Sequence, residues 1–123
     1  IYLKSLKIES IFLIGDKREY LTAIVVPNRE SLQEQFNLPD AYFSQPELFI
    51  EDKEILNWIN QDIRKLSNEL AKFERIKNFK LKRNPFSMED GEMTPSMKLK
   101  RKVIERKYAE PINEMYKMAV EAD

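Results

Sequence analysis

The sequence predicts an α+β fold in which a small sheet of about three strands is packed with helices. Two β-branched apolar runs, IESIFLI (8–14) and LTAIVV (21–26), read as strands. Residues 77–83 alternate basic side chains with Phe79 and Leu81, the mark of a third strand with one wet face. Residues 52–74 repeat apolar side chains in steps of three and four, a helical period.

Taken in chain order, Tyr2, Leu3 and Leu6 fit the last turn of a helix that begins before Ile1. The first strand ends at Gly15-Asp16, the second at Pro27, and the polar stretch 16–20 between them has hairpin length. Both runs are almost continuously hydrophobic, so each is expected to be covered on both faces. Asn28 is placed to cap a short helix over 29–36, with Glu30 in the first turn, where the helix dipole favours an acid. Pro39 and Pro46 make 37–47 a loop.

The long helix over 52–74 carries Leu56, Ile59, Ile63, Leu66, Leu70 and Phe73 along one face. Ile55 and Trp58 widen that stripe beyond a coiled-coil seam, so it is expected to pack on its own sheet rather than on a partner helix. After a turn-rich stretch at 84–94, the helical pattern returns over 99–109, with Leu99, Val103, Ile104 and Tyr108 on one side. Pro111 suits the first turn of a closing helix through Ile112, Met115, Tyr116 and Val120.

Composition narrows the chemistry. The 123 residues fit a single domain, 1–123, able to bury a modest core. Twenty-one basic residues balance 21 acidic ones, so any phosphate recognition must come from a local patch. The chain has no cysteine and no histidine, which removes the thiolate nucleophile, the usual general base and the commonest metal ligands. With two glycines, a glycine-rich phosphate loop is impossible. No apolar run approaches the roughly 20 residues that span a bilayer. Lys4 and Lys7 interrupt the N-terminus as a signal peptide, so the cytoplasm is the default and peripheral membrane attachment stays open. Ile1 opens the chain in mid-pattern, as in a piece of a larger protein.

One stretch stands apart. In Gly91-Glu92-Met93-Thr94-Pro95-Ser96-Met97-Lys98-Leu99-Lys100-Arg101, a threonine-proline turn precedes a lysine and runs into a basic amphipathic segment. Pro95 stiffens the approach, Thr94 and Ser96 can bond the turn's backbone, and Met97 and Leu99 flank the lysine as partial shelter. A Lys98 ammonium held this way suits the negative charge of a phosphate or carboxylate in another active site. Lys100, Arg101, Lys102, Arg106 and Lys107 form a cationic cluster, otherwise the wet face of a helix. Its alternative use is a non-enzymatic module, residues 98–107, that binds RNA or anionic membrane. No aromatic residues interleave with it for base stacking, which weakens the RNA reading. Glu89, Asp90 and Glu92 lack the alternating ligands of a calcium loop, so they read as a solvated turn with no metal site.

GEMTPSMKLKRKVI (91–104) resembles the last core motif of long-chain fatty-acid CoA ligases, in the AMP-forming adenylating superfamily. IFLIGDKREYLTAIVVPN resembles that family's paired strands around a glycine-aspartate turn. LAKFERIKNFKL resembles its approach to the third strand, and KYAEPINEMY its closing helix. Most other branches set a glycine before the lysine; Met97 stands there in this chain, as in the long-chain branch.

The resemblance implies the mobile C-terminal domain of an adenylate-forming enzyme. Its N-terminal domain, the hinge, the ATP loop and the fatty-acid pocket would then lie upstream. It implies that Lys98 is the catalytic lysine of the first step, in which a fatty-acid carboxylate attacks the α-phosphate of ATP, bound with Mg2+. CoA then displaces AMP, after a rotation that withdraws the lysine. Lys100 and Arg101, and more weakly Arg83, are its candidates for nucleotide or CoA phosphates. Glu92, Thr94, Pro95 and Ser96 would shape the loop. Nucleic acid is not an expected partner, and the isolated chain is expected to fold without turning over substrate.

Overall fold

The computed structural model describes residues 5–15, 20–70 and 75–122, the side chains of 118–122 excepted. The expected helical turn at Tyr2 and Leu3, most of the 16–20 connection, Phe73 and the Val120 side chain lie outside these residues. The fold is α+β, a four-stranded mixed sheet with four helices, and it divides into two compact units, Ile1–Asn84 and Pro85–Asp123.

In the first unit, β1 (Ile8–Ile14) and β2 (Leu21–Pro27) pair antiparallel, with Ile11 opposite Val25 and Leu13 opposite Ala23. The chain then passes through α1 (Arg29–Phe36), a 3₁₀ turn (Asp40–Ser44), β3 (Phe49–Ile50) and α2 (Lys53–Ser67) before β4 (Ile76–Lys82). That long crossover lets β4 lie parallel to β2, with Ala23 beside Phe79 and Val25 beside Leu81. The strand order is β1-β2-β4-β3.

The helix signals read from sequence are seen directly. Asn28 Oδ1 accepts the Ser31 N–H at 2.9 Å, and Asp52 Oδ1 accepts from Glu54 N at 2.9 Å and Ile55 N at 3.3 Å. The apolar stripe of α2 packs on its own sheet. Ile55, Ile59 and Ile63 join Ala23, Val25, Ile76, Leu81 and Leu32 in one core, with Leu56, Leu66 and Leu70 partly buried against it. Burying each such isoleucine contributes about 1.5–3 kcal/mol. β1 and β2 are buried on their second face as well, at Phe12, Ile14, Ile24 and Val26, as their unbroken hydrophobicity predicts.

The sheet has one strand more than periodicity predicts. β3 is two residues long, too short to show a period, and pairs Phe49 with Lys82 and Ile50 with Leu81. Buried Arg83 fastens this edge: its backbone N–H bonds Leu48 O at 2.8 Å, Nε bonds Glu47 O at 2.9 Å and Nη1 bonds Tyr42 O at 3.0 Å. The helix predicted over 52–74 is shorter, closing at Asn68.

The second unit holds a small hairpin, α3 (Arg101–Lys107) and α4 (Ala109–Ala122). Phe86, Ile104, Tyr108, Ile112, Met115 and Tyr116 are buried. The Phe86 and Tyr108 rings meet edge to face, centroids 6.0 Å apart. Pro111 falls in the first turn of α4, where its missing N–H is no loss. α3 starts after the position predicted from sequence, because Leu99 pairs with Met93 across the hairpin instead of joining the helix. No helix among the described residues is long and apolar enough to cross a membrane.

Candidate functional site

The Thr94-Pro95 turn folds into a hairpin that carries Lys98. Lys100 N–H bonds Glu92 O at 2.8 Å, Met93 bridges Leu99, and Thr94 N–H bonds Lys98 O at 2.8 Å. Met97 N–H closes the turn onto Thr94 O, again at 2.8 Å. This is a three-residue hairpin loop (95–97), whose third residue adopts the left-handed conformation that such loops require: Met97 has φ 65°. A side chain there costs about 1–2 kcal/mol relative to ordinary backbone. Met97 is 70% exposed, so packing offsets little of that cost.

Thr94 Oγ1 accepts the Lys98 N–H at 3.1 Å and bonds Ser96 Oγ at 3.0 Å. Gly91, at φ 74°, turns the chain into the hairpin. The Lys98 side chain is exposed rather than sheltered by Met97 and Leu99. Among the described residues its ammonium meets no carboxylate and no hydrogen-bond acceptor.

Beneath the hairpin sits a buried carboxylate. Glu92 is 0% exposed, which corrects the solvated turn expected for it together with Glu89 and Asp90. Its Oε1 accepts the Ser87 N–H at 3.2 Å. Its Oε2 accepts the Tyr108 hydroxyl in a short hydrogen bond and lies 3.1 Å from Lys107 Nζ. Burial first, then the bond to Glu92 and the nearby Glu92 and Asp90 charges, pushes the Tyr108 hydroxyl well above its ordinary value.

The remaining candidates separate. Lys100 and Arg101 are exposed at the start of α3; Arg101 Nη1 reaches Glu105 at 3.3 Å, one turn on. Arg83 belongs to the other unit and is held by backbone carbonyls. Tyr108 and Lys107 are the residues sequence reasoning placed but did not connect. A buried tyrosine needs an acceptor, yet nothing local identifies one 16 residues away. Chemically, the second unit offers an ammonium that is unpaired among the described residues, on a turn held by hydrogen bonds. The chain supplies no histidine or cysteine to act as base or nucleophile beside it.

Residues 2–120 match the family described as AMP-binding enzyme C-terminal domain. The chain is 36% identical over 126 aligned residues to the Probable CoA ligase CCL6 of Humulus lupulus, covering 99% of this chain and 19% of that protein. It is 30% identical over 119 residues to Long-chain-fatty-acid–CoA ligase 1 of Cavia porcellus, covering 94% and 17%. Among solved structures it superposes on the adenylation domain of a carboxylate reductase from Mycobacterium chelonae with a TM-score of 0.71. That likeness runs at 27% identity over 94% of this chain and 16% of that one. The chain thus spans less than a fifth of the length of these relatives. On this agreement of sequence and fold, the chain belongs to the AMP-binding enzyme C-terminal domain family.

Proposed function

We propose that this chain is the C-terminal domain of a long-chain fatty-acid CoA ligase and supplies Lys98 to the adenylation step. The observation that carries the reading is the Lys98 ammonium, exposed and unpaired among the described residues, on a hairpin tied by three backbone hydrogen bonds (Lys100 N to Glu92 O, Thr94 N to Lys98 O, Met97 N to Thr94 O) and a fourth from Lys98 N to the Thr94 side-chain Oγ1. Adenylation brings a carboxylate against the α-phosphate of ATP, and negative charge spreads over the phosphate oxygens as pyrophosphate leaves. One ammonium between the two anions lowers their repulsion and fixes their alignment. Lysine suits this because it is a compact charge on a long stem.

The N-terminal domain would hold ATP and Mg2+. Among the described residues of this chain no group of three Asp or Glu side chains converges on a metal position. CoA would then displace AMP, with exposed Lys100 and Arg101, the latter paired with Glu105, as candidates to meet a phosphate. The relatives' names support the acyl-CoA ligase class, and the Met97-Lys98-Leu99-Lys100-Arg101 form supports the long-chain branch.

The test is product analysis on the full-length enzyme with ATP, CoA and saturated acids of increasing length. The proposal expects AMP, pyrophosphate and acyl-CoA in equal amounts, with kcat/KM rising toward palmitate. Release of ADP and phosphate, or a maximum at short or aromatic acids, would contradict it.

A further inference from the structure

We infer that Glu92, with Tyr108, is a positioning residue for the Lys98 hairpin: a buried carboxylate that locks the base of the hairpin to the far end of α3. The inference rests on the role proposed for Lys98. Taking a carboxylate out of water costs several kcal/mol, and apolar replacements of buried ion pairs are often no less stable. A carboxylate at 0% exposure therefore calls for a reason other than stability.

Its contacts supply one. Glu92 lies across the hairpin from Lys100, whose N–H it receives at 2.8 Å on its backbone oxygen. Its side chain joins the turn at Ser87 N (3.2 Å), the last residue of α3 at Lys107 Nζ (3.1 Å) and the helix cap at the Tyr108 hydroxyl. Lys107 Nζ also reaches Asp90 O at 3.3 Å, just before the hairpin. α3 follows the hairpin directly, so the two are joined covalently at Lys100-Arg101 and through Glu92 at Lys107-Tyr108. The hairpin is thus tied to both ends of the helix.

A brace of this kind acts on rate through Lys98 alone. Misplacing a catalytic group by about 1 Å can cost about 100-fold. Glu92→Gln keeps the shape and removes the charge, and Tyr108→Phe keeps the ring and removes the hydroxyl. Neither residue touches substrate in this account.

The experiment is a double-mutant cycle on the full-length enzyme, following pyrophosphate release from ATP plus palmitate. Glu92→Gln and Tyr108→Phe are each made in the wild-type and the Lys98→Ala backgrounds. The expected result is a loss in kcat of about tenfold or more for each single variant, toward the 100-fold limit. In the Lys98→Ala background neither change should move the residual rate by more than a factor of about two. Equal losses in both backgrounds would mean that Glu92 merely supports the fold, and wild-type rates for the single variants would mean that no brace is needed; either result overturns the inference. A wild-type adenylation rate for Lys98→Ala itself would instead sink the reading of Lys98, and this inference with it.

Discussion

Tyr108→Phe removes one oxygen from the interior of the second unit and leaves the ring against Phe86, so it isolates the hydroxyl's bond to Glu92. A hydrogen bond to a charged acceptor contributes about 1.5–3 kcal/mol. Glu92 is not orphaned by the change, because Ser87 N–H at 3.2 Å and the Lys107 ammonium at 3.1 Å still face it. The low end therefore applies, and the expected cost is about 1.5 kcal/mol at pH 7. Urea unfolding of the 123-residue chain, followed by circular dichroism, should show a lower midpoint at unchanged slope. The sign of the pH dependence follows from the raised folded-state pKa of the hydroxyl. Its contribution is fully present below the ordinary tyrosine value of 10.0 and is lost as pH rises beyond it, since the unfolded chain ionises there first. The gap between wild type and variant should hold steady from pH 6 to about 9 and narrow above about 10. A variant as stable as wild type at pH 7, or a gap that widens with pH, would refute this reasoning.

Other expectations concern the backbone, the core and a surface pair. Gly91→Ala should destabilise by about 0.5–1 kcal/mol, because a Cβ there meets nothing within 4 Å and only the φ of 74° opposes it; a neutral effect in urea unfolding would place the strain elsewhere. Ile63→Ala removes a fully buried side chain of α2 and should cost about 2–5 kcal/mol, read from the unfolding midpoint of Trp58 fluorescence. Burial raises the Asp62 pKa, but the Ser5 hydroxyl at 2.6 Å, Lys7 at 3.0 Å and Lys65 outweigh it and hold the carboxyl below its ordinary value. Its contribution is present above pH 3.8 and lost as pH falls through the lower folded value. Asp62→Asn should cost at most about 1 kcal/mol at neutral pH. That difference should disappear in acid, and one that persisted there would contradict the assignment.

Elements whose signal is local were legible from the sequence. The helical steps from Ile55 to Leu66 and the caps Asn28 and Asp52 act within a few residues, and the apolar runs of β1 and β2 report their own burial. What stayed hidden depends on partners far along the chain. β3 exists because Arg83 holds Glu47 and Tyr42, which lie 36 and 41 residues before it, and a two-residue strand has no period of its own. Leu99 has an apolar side chain at a helical step, yet the Met93 pairing claims it for the hairpin. The same holds at the site. Thr94, Pro95 and Ser96 announce a turn, but the left-handed φ of Met97, which glycine adopts at no steric cost, is not announced by a methionine. The Glu92–Tyr108 bond spans 16 residues, and neither residue type foretells the other.

Lys98 carries the central claim, and the most direct test separates the two half-reactions of the full-length enzyme with Lys98→Ala. Pyrophosphate release from ATP plus palmitate should fall roughly 100- to 1,000-fold, the usual loss for one electrostatic donor. CoA thioester formation from preformed palmitoyl-adenylate should proceed at the wild-type rate, because the proposed role of the lysine ends before CoA attacks. Wild-type rates in both half-reactions, or an equal loss in both, would contradict the account.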